Sequence, residues 1–94
     1  MTKMVDKIIL KNYMEDCVLE LIPSVLNGMD ICKCERCQMD IAAYTLNKLP
    51  PKYVATGKGH MYTKLDTMHA QFGTDIISII AAGAKLISEN PRHE

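Results

Sequence analysis

The sequence lacks tryptophan and has a single phenylalanine, so aromatic side chains contribute little to any core. Nearly half of its 94 residues are nevertheless hydrophobic, which argues against disorder and leaves methionine, leucine and isoleucine to fill the interior. Seven methionines make such a core adaptable. We expect one domain, 1–94, near the lower size limit for folding on a single core, where a metal, a disulfide or a second subunit often adds stability.

Net charge is also missing, because eleven basic residues balance eleven acidic ones. Proteins that mainly grip the nucleic-acid backbone are usually strongly basic, so nucleic acid is not an expected partner. Residues 1–7 contain no apolar run of signal-peptide length, and no uninterrupted stretch approaches the roughly 18 apolar residues of a membrane span. We therefore expect a cytoplasmic protein without membrane association, a compartment where structural disulfides are rare.

No catalytic pattern is recognisable in the sequence. It has no Ser–His–Asp spacing of a known kind, no phosphate-cradling glycine loop and no convincing pair of carboxylates. The residues predict a small binding protein rather than an enzyme.

The strongest chemical signal is the cluster Cys32-x-Cys34-x-x-Cys37, which holds three of the four cysteines. Three thiolates form a soft ligand set suited to zinc, and a helix beginning near Cys37 would stabilise thiolate charge. Without a second CxxC, the pattern is not that of an ordinary zinc ribbon or finger. A complete site needs a fourth ligand, and the sequence leaves the choice open among Cys17, Asp40, His60, His69, His93 and a water.

Two other interpretations of the cluster stay open. Cys34 and Cys37 have the spacing of a disulfide-exchange pair, although the βαβ context of thioredoxin-like proteins is missing. The second interpretation is that the three thiols have no chemical role and are inert. Cys17 lies on an apolar helix face, where a buried structural thiol is the commoner finding.

Helical periodicity dominates the rest of the chain and predicts a mainly α domain with three principal helices. The first covers residues 4–22 and kinks or ends at Pro23, with a further turn closing at Asn27-Gly28. The second covers residues 35–49 and ends at Pro50-Pro51. The third follows a capping box at residues 63–66 and ends at Asn90-Pro91. A short extended segment is expected after the Pro-Pro corner, with a hairpin between 53–55 and 60–62 as one alternative.

The third helix is apolar around more than half of its circumference. Two other helices of one small chain can hardly cover that surface, so we predict a symmetric homodimer. Gly73 and Gly83 each weaken a helix, and their presence indicates close approach by another helix. The residues that widen the apolar surface are Ile76, Ile77, Ile79, Ile80, Ala81 and Ala82.

Two blocks of the sequence resemble the late competence protein ComFB family. The cysteine cluster runs into D-I-x-A-x-x-L-N-x-L-P-P-K-Y-V over residues 40–54, and the chain closes with Asn90-Pro91-Arg92-His93. The resemblance spans nearly the whole chain and implies a small, non-enzymatic, homodimeric, mostly helical protein. It also implies zinc at Cys32, Cys34 and Cys37.

Relatives that keep the Leu-Asn-x-Leu-Pro-Pro-x-Tyr core have been linked to sensing of cyclic dinucleotides of the c-di-GMP class, in competence and motility signalling. Carried over, this role makes Asn47, Lys52, Tyr53 and Arg92 candidate nucleotide contacts around a dimer cleft, with an unknown downstream protein receiving the signal. Two rival functions are a zinc-shaped adaptor of the DNA-uptake machinery and a thiol oxidoreductase. Cys17 is not part of the family motif.

Overall fold

The described part of the chain contains two short strands and three helices. Their order is β1 (Ile8–Asn12), α1 (Tyr13–Leu26), α2 (Glu35–Lys48), β2 (Tyr53–Gly57) and α3 (Met61–Glu89). The computed structural model describes residues 8–57 and 60–91. It confirms the mainly helical fold, the three principal helices and the extended segment after the Pro-Pro corner.

The start of the chain differs from the predicted first helix. Residues 4–7 lie outside the described residues, and Ile8–Asn12 form a strand rather than helical turns. This strand pairs antiparallel with β2, with Leu10 opposite Ala55. The branched side chains of Ile8 and Ile9 fit a strand as well as a helix, and the distant partner decides between them.

Asn12 separates β1 from α1. Its backbone is extended, with φ −85° and ψ 99°, and its side-chain oxygen accepts a hydrogen bond of 3.1 Å from the backbone N–H of Met14. The same oxygen accepts a 2.8 Å bond from the N–H of Lys52. Asn12 followed three residues later by Glu15 is a helix-start signal, which places the first turn of α1 at Tyr13. The apolar periodicity over residues 4–22 obscured this signal in the sequence.

The second strand was predicted as extended, but the alternative hairpin with 60–62 is wrong. β2 pairs with β1, and the chain from Met61 onward is α-helical. The predicted capping box at Thr63 is wrong for a related reason. The helix starts three residues earlier, with His60 rather than Thr63 as its N-cap residue, and His60 makes no side-chain capping bond.

Pro50 ends a helix as expected, whereas Pro23 lies inside a continuous helix rather than ending it. α1 continues past the exposed Pro23 to Leu26, where the N–H of Asn27 donates to the carbonyl of Pro23 at 3.0 Å. α2 ends at Lys48, because Leu49 precedes a proline and adopts an extended backbone with φ −108° and ψ 144°.

α2 and α3 pack antiparallel, and Gly83 of α3 lies against the Tyr44 ring of α2. A Cβ atom at this position would lie 2.5 Å from Cδ1 of Tyr44, so only glycine fits beside the ring. At Gly73 a Cβ atom would meet nothing within 4 Å. The expectation of close helix packing is therefore confirmed for Gly83 and wrong for Gly73.

The core lies where α1, α2 and α3 meet, and α3 carries more apolar surface than this core covers. Ile76 and Ile80 are fully buried, whereas Ile77 is 43% and Leu86 is 53% exposed. The part Leu65–Glu89 is long and apolar enough to cross a membrane by length and composition, a property that core helices share. The fully buried core side chains include Tyr13, Cys17, Val18, Ile41, Ile76, Ile80 and Ala84.

Candidate metal centre

Three cysteine sulfurs meet where the α1–α2 loop enters α2. The ligand atoms of Cys32, Cys34 and Cys37 all lie within 4.8 Å of one another. Cys34 is the N-cap of α2, with φ −69° and ψ 165°, and Cys37 is the third residue of the helix. Cys32 and Cys34 are exposed and Cys37 is buried. The structure thus assembles the predicted sulfur cluster.

Hydrogen bonds from the loop itself hold the cluster in this shape. The Nζ of Lys33 donates to the carbonyl of Met29 at 2.6 Å and lies 3.4 Å from the carbonyl oxygen of Ile31. The side-chain nitrogen of Gln38 donates to the carbonyl of Lys33 at 2.7 Å. These bonds connect the backbone on both sides of Cys32 and Cys34 and help to hold the loop in the conformation that brings the thiols together.

The candidates for a fourth ligand lie elsewhere in the described part of the chain. Cys17 is buried in the main core, and Asp40 forms an ion pair with Arg36, with an N–O distance of 3.4 Å. His69 Nε2 lies 3.7 Å from the Glu20 carboxylate.

Two further histidines were also candidates. His60 caps the start of α3, at the end of that helix remote from the cysteine-lined cleft, and His93 lies outside the described residues. Of the described His, Cys, Asp and Glu side chains, the three cysteines are the ones that come together.

The surroundings of the Cys37 thiol raise its pKa. Burial raises the pKa of this thiol to about 12, and hydrogen bonds and charge interactions with Cys34 and Cys32 act in the same direction. A thiolate at Cys37 would lie beside two further sulfurs in a buried position, which favours the protonated form of this residue. A divalent cation reverses this balance, because a coordinated thiol is deprotonated. The soft donor set therefore fits a thiophilic ion such as zinc.

Cys17 behaves differently. It is fully buried, and burial raises its pKa to about 11, with smaller contributions from the charges of Glu20 and Asp16. Unlike Cys37, it lies in the main core, outside the group of three converging sulfurs, so it has no neighbouring thiol with which to share an ion. This arrangement supports the interpretation of Cys17 as a structural core residue.

A cleft of about 280 Å³ adjoins the cluster between the cysteine loop, α2 and the end of α3. Cys32 and Cys37 form part of one wall. Ile87, in the last turn of α3, and Pro91, just after the helix, form part of the opposite wall. Sequence reasoning missed this cleft, since only the antiparallel packing of α2 on α3 brings the walls together. The remaining lining residues are Asp30, Ile31, Ile41, Ala84 and Ser88.

The predicted nucleotide contacts lie at the other end of α2. Asn47 is exposed in the last turn of that helix, and Tyr53 is 65% exposed at the start of β2. Lys52 Nζ lies 5.0 Å from the centroid of the Phe72 ring. Ten residues of helix separate Asn47 from Cys37, which is about 15 Å. Arg92 lies outside the described residues.

The outer face of the two-stranded sheet is a further feature that the sequence did not indicate. Ile8 is 72% and Leu10 is 71% exposed there, on the sheet that also carries the exposed Tyr53. Predicting residues 8–12 as a helix concealed this surface. The signal that could have found it is the helix start at Asn12, which leaves the preceding branched residues free to form a strand.

Comparisons with known proteins agree on one family. The family model described as late competence development protein ComFB matches residues 11–91. Competence protein ComFB of Bacillus subtilis (strain 168) is 35% identical over 83 residues, covering 87% of this chain and 85% of the relative. The solved structure of late competence protein ComFB from Bacillus subtilis superposes with a TM-score of 0.76 at 34% identity, covering 89% of this chain and 96% of the other. The chain therefore belongs to the ComFB family.

Proposed function

We propose that this ComFB-family chain is a non-enzymatic regulatory binding protein of the cytoplasm. Zinc at Cys32, Cys34 and Cys37 stabilises the domain, and a symmetric dimer senses a cyclic dinucleotide of the c-di-GMP class and signals to a downstream protein. The observation that carries the metal-binding part is the convergence of three sulfur atoms within 4.8 Å. The shared fold and sequence of a competence protein support a regulatory role.

Zinc would supply structural stability rather than reactivity. Cys32 and Cys34 precede α2 and Cys37 lies in its first turn. Cys32 and Cys37 line the cleft that faces the end of α3. An ion bound by all three would join these segments in a chain whose core is small. A bound zinc ion would supply positive charge that offsets the negative charge of the three thiolates.

Metal analysis of the purified protein tests this part. We expect close to one zinc per chain, and a marked fall in melting temperature on chelation or in Cys37→Ser. Cys17→Ala is the matched control, because it removes a thiol outside the cluster and should keep the metal. A chain free of zinc, nickel, iron and copper, with melting unaffected by chelators, would reject the metal site.

The exposed side of α3 supports the dimer. Leu86 is 53% exposed there, and the exposed Ala82 one turn earlier on the same face allows a second helix to approach closely. Leu86→Glu should convert the dimer to a monomer in sedimentation analysis. Leu19→Glu is the matched control, because Leu19 is 44% exposed on α1. A wild-type monomer at micromolar concentration, or equal effects of the two substitutions, would reject this interface.

The corner between α2 and β2 supports the nucleotide part of the proposal. Tyr53 offers an exposed ring for base stacking, Lys52 a cation for phosphate and Asn47 an amide. Cyclic dinucleotides are two-fold symmetric, so a two-fold dimer can present the same groups to both halves.

Calorimetric titration with c-di-GMP and c-di-AMP tests the nucleotide proposal. We expect binding that Tyr53→Ala and Lys52→Ala weaken at least tenfold and that Tyr53→Phe keeps. Lys85→Ala is the control for loss of an exposed lysine. Absence of heat with either nucleotide rejects sensing and leaves the zinc site standing. Salt-dependent retention on DNA would then favour the adaptor function. Reduction of insulin disulfides would favour the oxidoreductase function.

A further inference from the structure

The cysteine cluster combines proximity with access. Its sulfurs lie within 4.8 Å of one another, and two of the three residues are exposed. We propose that the cluster is an oxidation-sensitive clasp, in which a hydroperoxide joins Cys34 to Cys37 in a disulfide and thereby releases the metal. This inference rests on the metal site proposed above. It concerns reversible modification of this chain, with no disulfide of a substrate involved.

The position of the two residues on α2 selects this pair. Cys34 is the N-cap and Cys37 is the third helical residue, the two positions whose side chains face each other in a capping box. Closing the bond needs only a local shift from the observed spacing to the 2.05 Å of a disulfide. Cys32 and Cys34 are separated by one residue, and a ring that small is strained. Cys17 is fully buried in the main core and has no access to either oxidant or cluster.

The reaction balances with the hydroperoxide as the two-electron oxidant. The sulfur of the exposed Cys34 attacks the O–O bond, forming a sulfenic acid while the alcohol, or water from hydrogen peroxide, leaves. The proton of the Cys34 thiol leaves with that alcohol or water. The sulfur of Cys37 then displaces hydroxide from the sulfenic acid, the S–S bond forms, and the hydroxide takes up the Cys37 proton and leaves as water. Where the sulfurs start as metal-bound thiolates, solvent supplies both protons. Two sulfurs are oxidised, and one peroxide is reduced.

Loss of the metal has a structural consequence in this fold. Cys32 and Cys37 form one wall of the cleft whose opposite wall includes Ile87 and Pro91. With two sulfurs withdrawn into a disulfide, Cys32 alone cannot hold the ion, and the loop is no longer tied to α2 through it. We expect faster amide exchange in residues 29–34 and 84–91 after oxidation, with little change in the α1 core around Cys17.

Tryptic mapping decides which bond forms, because Lys33 and Arg36 separate the three cysteines. Cleavage places Cys32 on the fragment 12–33, Cys34 on 34–36 and Cys37 on 37–48. Reduced protein is treated with hydrogen peroxide while released zinc and free thiols are measured. We expect loss of two of the four thiols together with the zinc, a link between 34–36 and 37–48, and full reversal by dithiothreitol. Any link that includes 12–33, or oxidation limited to sulfinic and sulfonic acids, overturns the proposal.

Two matched variants separate this inference from the metal proposal. Cys32→Ser and Cys34→Ser each remove one exposed thiol and one proposed ligand. Only Cys32→Ser should still form the disulfide between 34–36 and 37–48, whether or not it retains metal. If the reduced wild-type chain holds no metal, the zinc proposal fails and the clasp falls with it, even where the disulfide forms. If zinc is present but peroxide leaves it bound, the zinc proposal stands and the clasp is wrong.

Discussion

Replacing Gly83 with alanine tests how closely α2 and α3 approach each other. The added Cβ atom would lie 2.5 Å from Cδ1, 3.2 Å from Cγ and 3.1 Å from Cε1 of the Tyr44 ring. Contacts this short force the ring or a helix backbone to move. Gly73 lies in the same helix, and a Cβ atom there meets nothing within 4 Å, so Gly73→Ala is a matched control.

Two opposing effects set the magnitude. Alanine stabilises a helix interior by about 1 kcal/mol relative to glycine, and both substitutions gain this amount. Overpacking costs about 1–3 kcal/mol, and only Gly83→Ala suffers it. We expect Gly73→Ala to raise the free energy of unfolding by up to about 1 kcal/mol, and Gly83→Ala to lower it by about 0–2 kcal/mol. The difference isolates the overpacking cost, since the helix-propensity gain cancels.

Urea unfolding followed by circular dichroism measures both free energies, and the melting temperature should move by about 4–8 °C for each kcal/mol. In a Tyr44→Ala background, Gly83→Ala should become stabilising, because the ring that it meets has gone. If Gly83→Ala stabilises the wild-type protein as much as Gly73→Ala does, the proposed close packing of Tyr44 on Gly83 is incorrect.

Two further substitutions and one pH dependence test buried and half-buried polar groups around the core. Asn12→Ala should lower the free energy of unfolding by about 1–3 kcal/mol. The substitution removes the side-chain cap of α1, and it also leaves the backbone N–H of Lys52 without its acceptor. Thr45→Val should change it by less than about 1 kcal/mol, since the fully buried hydroxyl donates only to the carbonyl of Ile41 within the same helix. Folding raises the pKa of Cys17 from 9.0 to about 11. Unfolded chains therefore lose this proton first, and stability should fall between these pH values by up to about 1.4 kcal/mol per unit.

Each of these substitutions has its own control. Asn12→Asp keeps an acceptor for both N–H groups and should retain most of the stability in urea unfolding, so a loss equal to that of Asn12→Ala would contradict the capping argument. A large loss in Thr45→Val would show that its hydroxyl has a partner besides Ile41. Cys17→Ala should flatten the alkaline fall in stability relative to wild type, and an unchanged slope would assign that fall to other groups.

The sequence determined the features that depend on residues close together in the chain. Cys32, Cys34 and Cys37 lie within six residues, so any helix start near Cys37 brings their sulfurs together. Pro50 ended α2 at the expected place, because a proline restricts the residue before it whatever lies around it. The apolar stripe of α3 placed Ile76 and Ile80 in the core for the same local reason.

The tertiary structure decided the features that depend on a distant partner. Ile8 and Ile9 suit either a helix or a strand, and pairing with β2 more than forty residues later settled the choice. The contact of Gly83 with Tyr44 and the cleft beside Cys37 exist only because α2 packs antiparallel on α3. Local patterns carry backbone preferences over a few residues, whereas these features arise from packing between segments that the sequence alone does not align.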